Sequence, residues 1–296
     1  MRRRRNEPTG GTTPLRLSLR TAGAALLAGA FLYARYVEPQ WVAVRRLELT
    51  LPRLAPEFDG YRVVHMSDVH MDRWMTPGRL TEIVGLVNEQ KPDLVAATGD
   101  FVTYSPLSST VPLAPLLVEP LEGLRAPDGV VAVLGNHDHR AGAGRVRPHL
   151  RRAGIVELAN EVRTVRRGPS ALHVAGVDSL YMGRDRLGAV LDGLPGEGAA
   201  VLLAHEPAFA LSSAATGRFD LQLSGHSHGG QVRFPILGAP IYPRHSRPYG
   251  DGLYETRGMY AYTSRGLGTV LSRLRANCRP EVSVLTLRSP KGGQQR

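Results

Sequence analysis

The feature that most constrains this chain is a pattern met five times: a short apolar run followed by a polar block built from Asp, His and Asn. The blocks are Asp68-Val69-His70, Gly99-Asp100, Gly135-Asn136-His137-Asp138, an isolated His205, and Gly225-His226-Ser227-His228-Gly229-Gly230. Each apolar run reads as a β-strand, so each block falls at a strand end. Open α/β sheets place their sites outside the carboxyl ends of strands. The donors are carboxylate, imidazole and amide with no thiolate, which suits Mn, Fe, Zn or Co. Two divalent ions held roughly 3.5–4 Å apart need a bridging carboxylate, and Asp100 is the natural candidate. Neighbouring glycines let the backbone turn sharply beside the donors. Taken singly each block is ordinary; Gly-Asn-His-Asp, for one, suits a plain turn. The force of the pattern is five blocks in order. His226 and His228, two apart on a strand edge, are expected to face the same side.

The rest of the chain is organised around these strands. Residues 61–67, 93–98 and 130–134 are the first three. Residues 77–90 carry Leu80, Ile83, Val84 and Val87 at helical spacing, with Thr76 as N-cap and Pro77 at the first helical position. A second helical stretch is broken by Pro112, Pro115 and Pro120. Further strands are expected at 155–158, 162–165, 172–177, 201–204, 221–223, 231–234, 259–263 and 282–287, with short helices near 185–194 and 208–215. This alternation argues for an α/β fold. The count fits two packed sheets with helices on both outer faces. The expected divisions are a basic and apolar segment over 1–40, a connecting segment over 41–60 that includes a strand, a catalytic domain over 61–288, and a polar tail over 289–296.

Charge is uneven. The net is +11 over 296 residues; six arginines against one glutamate give the first twenty a net +5 and leave +6 for the rest. That modest excess attracts an anionic substrate. With no dense basic stripe interleaved with aromatics, no nucleic-acid partner is expected. Only Lys91 and Lys291 are lysines; the arginine bias fits phosphate recognition or genome composition alike. After Arg2–Arg5 and a polar spacer, an apolar run spans 21–34. A run of this length fits a signal segment; extended over 15–37 it reaches spanning length. Ala28-Gly29-Ala30 supplies a cleavage pattern. The expectation is an uncleaved membrane anchor with the main domain on the extracytoplasmic side, with cleaved export or a buried amphipathic helix as alternatives.

The full series from Asp68-x-His70 to Gly225-His226-x-His228 resembles the motif set of the calcineurin-like metallophosphoesterases. The resemblance covers roughly residues 61–287. It implies a four-layer α/β/β/α sandwich and two divalent metal ions. Asp68, His70 and His228 would bind the first ion, Asn136, His205 and His226 the second, and Asp100 would bridge. His137 would act on the leaving group rather than bind metal. The implied reaction is phosphoester hydrolysis by a hydroxide held between the ions, with His137 as general acid. Asp138 is expected to orient a neighbouring group, or to be a turn residue. Residues 36–39, 249–254 and 264–269 resemble the bacterial membrane-anchored or exported branch of the family, some of whose members act on phospholipids or nucleotide-linked envelope lipids.

Competing readings are an inactive metal-binding scaffold for protein interaction and a nucleic-acid or nucleotide phosphodiesterase. Intact His137 and ligands count against the first. His139 is expected as a solvated loop residue and His65 as a core histidine; Arg233, Arg244, Arg247 and Arg265 are phosphate grips or surface residues. Cys278, the only cysteine, is expected in the core. No sequence feature specifies an oligomeric state.

Overall fold

The computed structural model describes residues 19–104 and 113–290. In chain order the elements are α1 (Leu19–Leu32), β1 (Ala43–Thr50), β2 (Tyr61–Met66), α2 (Pro77–Glu89), β3 (Leu94–Ala97), α3 (Val118–Leu121), β4 (Val130–Ala132), α4 (Asn136–Arg152), β5 (Ile155–Glu157), β6 (Glu161–Arg167), β7 (Ser170–Gly176), α5 (Leu187–Gly193), β8 (Ala199–Leu203), α6 (Ala210–Ala215), β9 (Leu221–Ser224), β10 (Gly252–Thr256), β11 (Met259–Thr263) and β12 (Glu281–Arg288). They form two six-stranded sheets, ordered β1-β12-β2-β3-β4-β5 and β10-β11-β9-β8-β7-β6. Both are mixed: β12 runs antiparallel to β2 while β2, β3, β4 and β5 are parallel, and β9, β8 and β7 are parallel between antiparallel outer pairs.

Alternation along the strands produces the layers, because successive side chains point to opposite faces. In β2, Val63 points to the space between the sheets while Val64 and Met66 point to the helices outside. In β8, Val201 and Leu203 join the inter-sheet core while Ala200 and Leu202 pack outward. One outer core holds Leu80, Ile83, Leu121, Val146 and Leu150 from α2, α3 and α4. The other holds Val190, Ala210 and Ala214 from α5 and α6. The result is the expected α/β/β/α sandwich.

Several expectations change. The strand expected within residues 41–60 is β1, which pairs along its whole length with β12, in parallel register from Ala43–Glu281 to Thr50–Arg288. Its alternating exposed residues Arg46, Glu48 and Thr50 suit an edge strand with a wet face. Helix α4 was not among the expected helices; it is polar, kinked at Gly142 (φ 102°) and contains Pro148. Residues 231–234 form only isolated bridges, Val232 to Ala276 and Phe234 to Gly238. The apolar run at 21–34 lies mostly in α1, a helix of 14 residues. Among the described residues no helix is long and apolar enough to cross a membrane. The start of the longer 15–37 span and Arg2–Arg5 lie outside the described residues, as does the tail beyond 290.

Candidate metal centre

The carboxyl ends of β2, β3, β4, β8 and β9 meet at one edge of the sandwich. Backbone bonds lock the ends together: Asp68 N–H donates to Gly99 O, His70 N–H to Asp100 O, and Gly225 N–H to His205 O. Five donor residues sit in the left-handed region: Asp68 (φ 52°), His70 (50°), Asp100 (54°), His226 (64°) and His228 (52°). Such conformations are costly for non-glycine residues and persist where the surroundings over-determine them. His226 and His228 both enter the cluster, in different donor groups. After β9 the chain turns through left-handed residues, so strand alternation no longer governs where the rings point.

Among the described residues three groups of ionisable donors lie within coordinating reach: Asp68, His70 and His228; Asp100, His205 and His226; and His70, Asp100 and His137. In the first, His70 Nε2 is 3.2 Å from His228 Nε2 and 3.9 Å from Asp68 Oδ1, and His228 Nε2 is 3.4 Å from Asp68 Oδ1. In the second, His205 Nε2 is 3.2 Å from Asp100 Oδ2, 3.2 Å from His226 Nδ1 and 3.3 Å from Asn136 Oδ1. Asp100 Oδ2 lies also 3.5 Å from His70 Nε2, so one carboxylate oxygen stands between both groups.

The donor chemistry fits a cation. His205 Nδ1 donates to the Thr98 carbonyl at 2.6 Å, which leaves a lone pair on Nε2. His226 Nε2 donates to the Arg244 carbonyl at 2.7 Å, which leaves a lone pair on Nδ1. Lone pairs of His205, His226, Asp100 and Asn136 therefore face one another, an arrangement that needs positive charge at its centre. Burial drives His70 down to about 3 and His226 to about 4, and holds His228 well below the usual range. These are neutral rings, the ligand form. Burial opposes charge on His205 too, but Asp100, Glu206 and Asp68 beside it raise its pKa well above the usual value. Asp68 is pushed up to about 6 by burial.

His137 borders the cluster, its ring centroid 4.7 Å from that of His70. Its backbone N–H donates to Asp100 Oδ1, and its Nδ1 accepts from Tyr104 N–H at 3.1 Å. The neutral ring thus carries its proton on Nε2. Asp138 is fully buried and faces the backbone: Oδ1 accepts Val102 N–H and Oδ2 accepts Gly135 N–H, which caps α4. It positions the loop and does not reach the donor cluster. Gly135 leaves no room for a side chain, since a Cβ there would lie 2.7 Å from Asp100 Cγ.

Other sequence candidates resolve differently. His139 is not solvated: its Nε2 lies 2.6 Å from Asp178 Oδ1, with 3% of the side chain exposed. His65 is a core residue bonded to Thr98 Oγ1. Arg233 and Arg265 are both committed to Asp251. Cys278 is buried, with its Sγ on the His228 carbonyl. Three contributors carried no sequence signal. Thr98 orients His205. Glu38 accepts N–H bonds from Asn277 and Cys278. Arg275, wholly buried, ties together the carbonyls of Arg265, Gly266, Gly268 and Cys278 behind Asp68.

Sandwich and cluster together define a metal-dependent phosphoesterase. The signature described as "Calcineurin-like phosphoesterase" matches residues 61–230, and the chain belongs to that family. It is 34% identical over 274 residues to the uncharacterized metallophosphoesterase YkuE of Bacillus subtilis, covering 90% of this chain and 93% of that protein. It is 31% identical over 276 residues to the phosphodiesterase YaeI of Escherichia coli, covering 90% and 96%. It is 31% identical over 256 residues to a Danio rerio transmembrane protein with metallophosphoesterase domain, covering 82% of this chain and 56% of that one.

Proposed function

We propose that this hydrolase works with two divalent ions, one on Asp68, His70 and His228, the other on Asn136, His205 and His226, with Asp100 shared, and that its substrate is a phosphodiester before a phosphomonoester. The observation that carries the reading is Asp100 Oδ2, 3.5 Å from His70 Nε2 and 3.2 Å from His205 Nε2. Ions bound there supply a water of lowered pKa and neutralise charge on the phosphoryl oxygens. The chain's own residues do the rest. The Thr98 and Arg244 carbonyls hold His205 and His226 in the coordinating tautomer. His137 offers its Nε2 proton to the departing oxygen. Asp138 keeps the His137 loop in register through Gly135 and Val102. The diester preference rests on the likeness to the phosphodiesterase YaeI.

The reading includes a membrane setting, with the domain outside the cytoplasm and a lipid-linked phosphoester as substrate. Its support is the basic N-terminus, the exposed Leu26, Leu27 and Phe31 of α1, and the likeness to a protein named as transmembrane.

The full chain, stripped by chelation and reloaded with Mn²⁺, Zn²⁺ or Fe²⁺, is assayed on soluble aryl phosphodiesters and phosphomonoesters. The expected result is chelator-sensitive turnover that falls at least about a hundredfold in His137→Ala. No turnover with any metal, or an unaffected His137→Ala variant, overturns the mechanism. A reporter fused after residue 60 is expected to be active outside the cytoplasm; activity confined to the cytoplasm refutes the topology.

A further inference from the structure

The loop over residues 234–241 presents Ile236, Leu237 and Ile241 at 105%, 84% and 76% exposure, and the neighbouring loop presents Leu271 at 106%. Ile236 (φ 68°) and Leu271 (φ 63°) both lie in the left-handed region. A β-branched residue is seldom held there, and in water neither side chain gains packing from it. The two loops form one unit. Gln231 bonds both backbone groups of Val270, and Arg233 N–H donates to Ala276 O. Exposed apolar clusters rimmed by polar groups mark interaction surfaces.

The charge around these tips selects the partner. Residues 231–247 and 269–277 contain no Asp or Glu. Arg244 and Arg247, both exposed, form no ion pair among the described residues; Arg247 lies over the Tyr242 ring. On the far side Arg35 and Arg273 stack on Trp74. Aliphatic tips projecting singly, with arginine and aromatic shoulders, suit a bilayer interface better than a protein groove. The surface is also continuous with the apolar N-terminal helix, since Arg275 N–H donates to Ala34 O and Arg35 bonds Arg273 O.

We propose that the catalytic domain itself beds on an anionic lipid surface through the tips of its 234–241 and Leu271 loops. The same loop system supports the metal centre: Arg244 O orients His226, and the Leu271 loop follows Gly268, whose N–H donates to Asp68 O. Docking therefore turns the site's rim toward the membrane. The inference concerns a surface and stands apart from the hydrolytic reading.

The test uses the full chain carrying Leu237→Cys labelled with an environment-sensitive fluorophore. Cys278 is buried, so the label reports on position 237. Phosphatidylglycerol vesicles are expected to shift its emission to the blue and raise it; phosphatidylcholine vesicles are not. A double variant, Ile236→Ser and Leu271→Ser in the labelled chain, should cut the emission shift at least about fivefold even where the N-terminal segment holds it on the vesicles. Its turnover of a soluble diester should be unchanged, which separates this outcome from failure of the hydrolase reading. An unresponsive fluorophore, equal response to both lipids, or an undiminished shift in the double variant overturns the proposal; a patch made for a protein partner gives the first of these.

Discussion

Arg275→Met tests how far the metal centre depends on a residue with no part in its chemistry. The Arg275 guanidinium is fully buried and donates to four carbonyls: Cys278 at 3.0 Å, Arg265 at 2.8 Å, Gly266 at 3.0 Å and Gly268 at 2.6 Å. The strap it closes lies on the first donor strand, with Leu267 N–H on Ser67 O and Gly268 N–H on Asp68 O. Methionine has similar reach but no donors. Gly266 O keeps the Glu281 N–H, and each of the other three carbonyls left unpaired costs about 1–3 kcal/mol. The relief of no longer burying a cation returns part of the sum. A net loss of about 3–5 kcal/mol follows, or roughly 10 °C in Tm for a domain of this size. Urea unfolding followed by circular dichroism, on chelated and metal-loaded protein, measures it. The ion on Asp68, His70 and His228 should also bind more weakly. Arg275→Lys, which reaches fewer of the carbonyls, should fall between. A methionine variant within about 1 kcal/mol of the parent would refute the reasoning.

Gly135→Ala should fold but lose metal and turnover, because the new methyl meets the Asp100 carboxylate; a fully active alanine variant contradicts the close approach. Glu38→Gln places an amide NH₂ against one of two backbone N–H donors and should cost about 1–3 kcal/mol in urea unfolding; no change means Glu38 does not clamp the 277–278 turn. Metal loading must displace protons from Asp68, whose pKa is about 6, and from His205, held above its usual range. Protons compete with the metal at low pH, so affinity should climb between about pH 5 and 8. Competitive metal titrations across that range check the sign, and a flat profile would refute it. A chain cut at residue 61 loses β1 and Glu38 and should be insoluble or unfolded, whereas solubility and full activity would make 41–60 a mere connector.

What could be read from sequence was what strand physics dictates. Short apolar runs ending in Asp, His or Asn located the sheets, the edge where the site lies, and the donors that meet there. Other parts were hidden for identifiable reasons. A strand was legible within residues 41–60, but its pairing with β12 at the far end of the chain was not, because register across about 240 residues leaves no local pattern. Helix α4 is polar and broken by Gly142, so it had no apolar stripe. His226 and His228 reach their separate donor groups through left-handed turns, which strand alternation does not describe. Arg275 and Glu38 are buried charges, and nothing in one sequence separates a buried arginine from the many on the surface. Thr98 acts through its carbonyl, a group every residue carries.

The central claim is that one oxygen of Asp100 stands between two metal positions. Anomalous diffraction from crystals of the Mn²⁺-loaded chain tests it most directly. The account predicts two peaks roughly 3.5–4 Å apart, one beside Asp68, His70 and His228, the other beside Asn136, His205 and His226, with Asp100 between. A single peak, or two peaks that do not share Asp100, would contradict it.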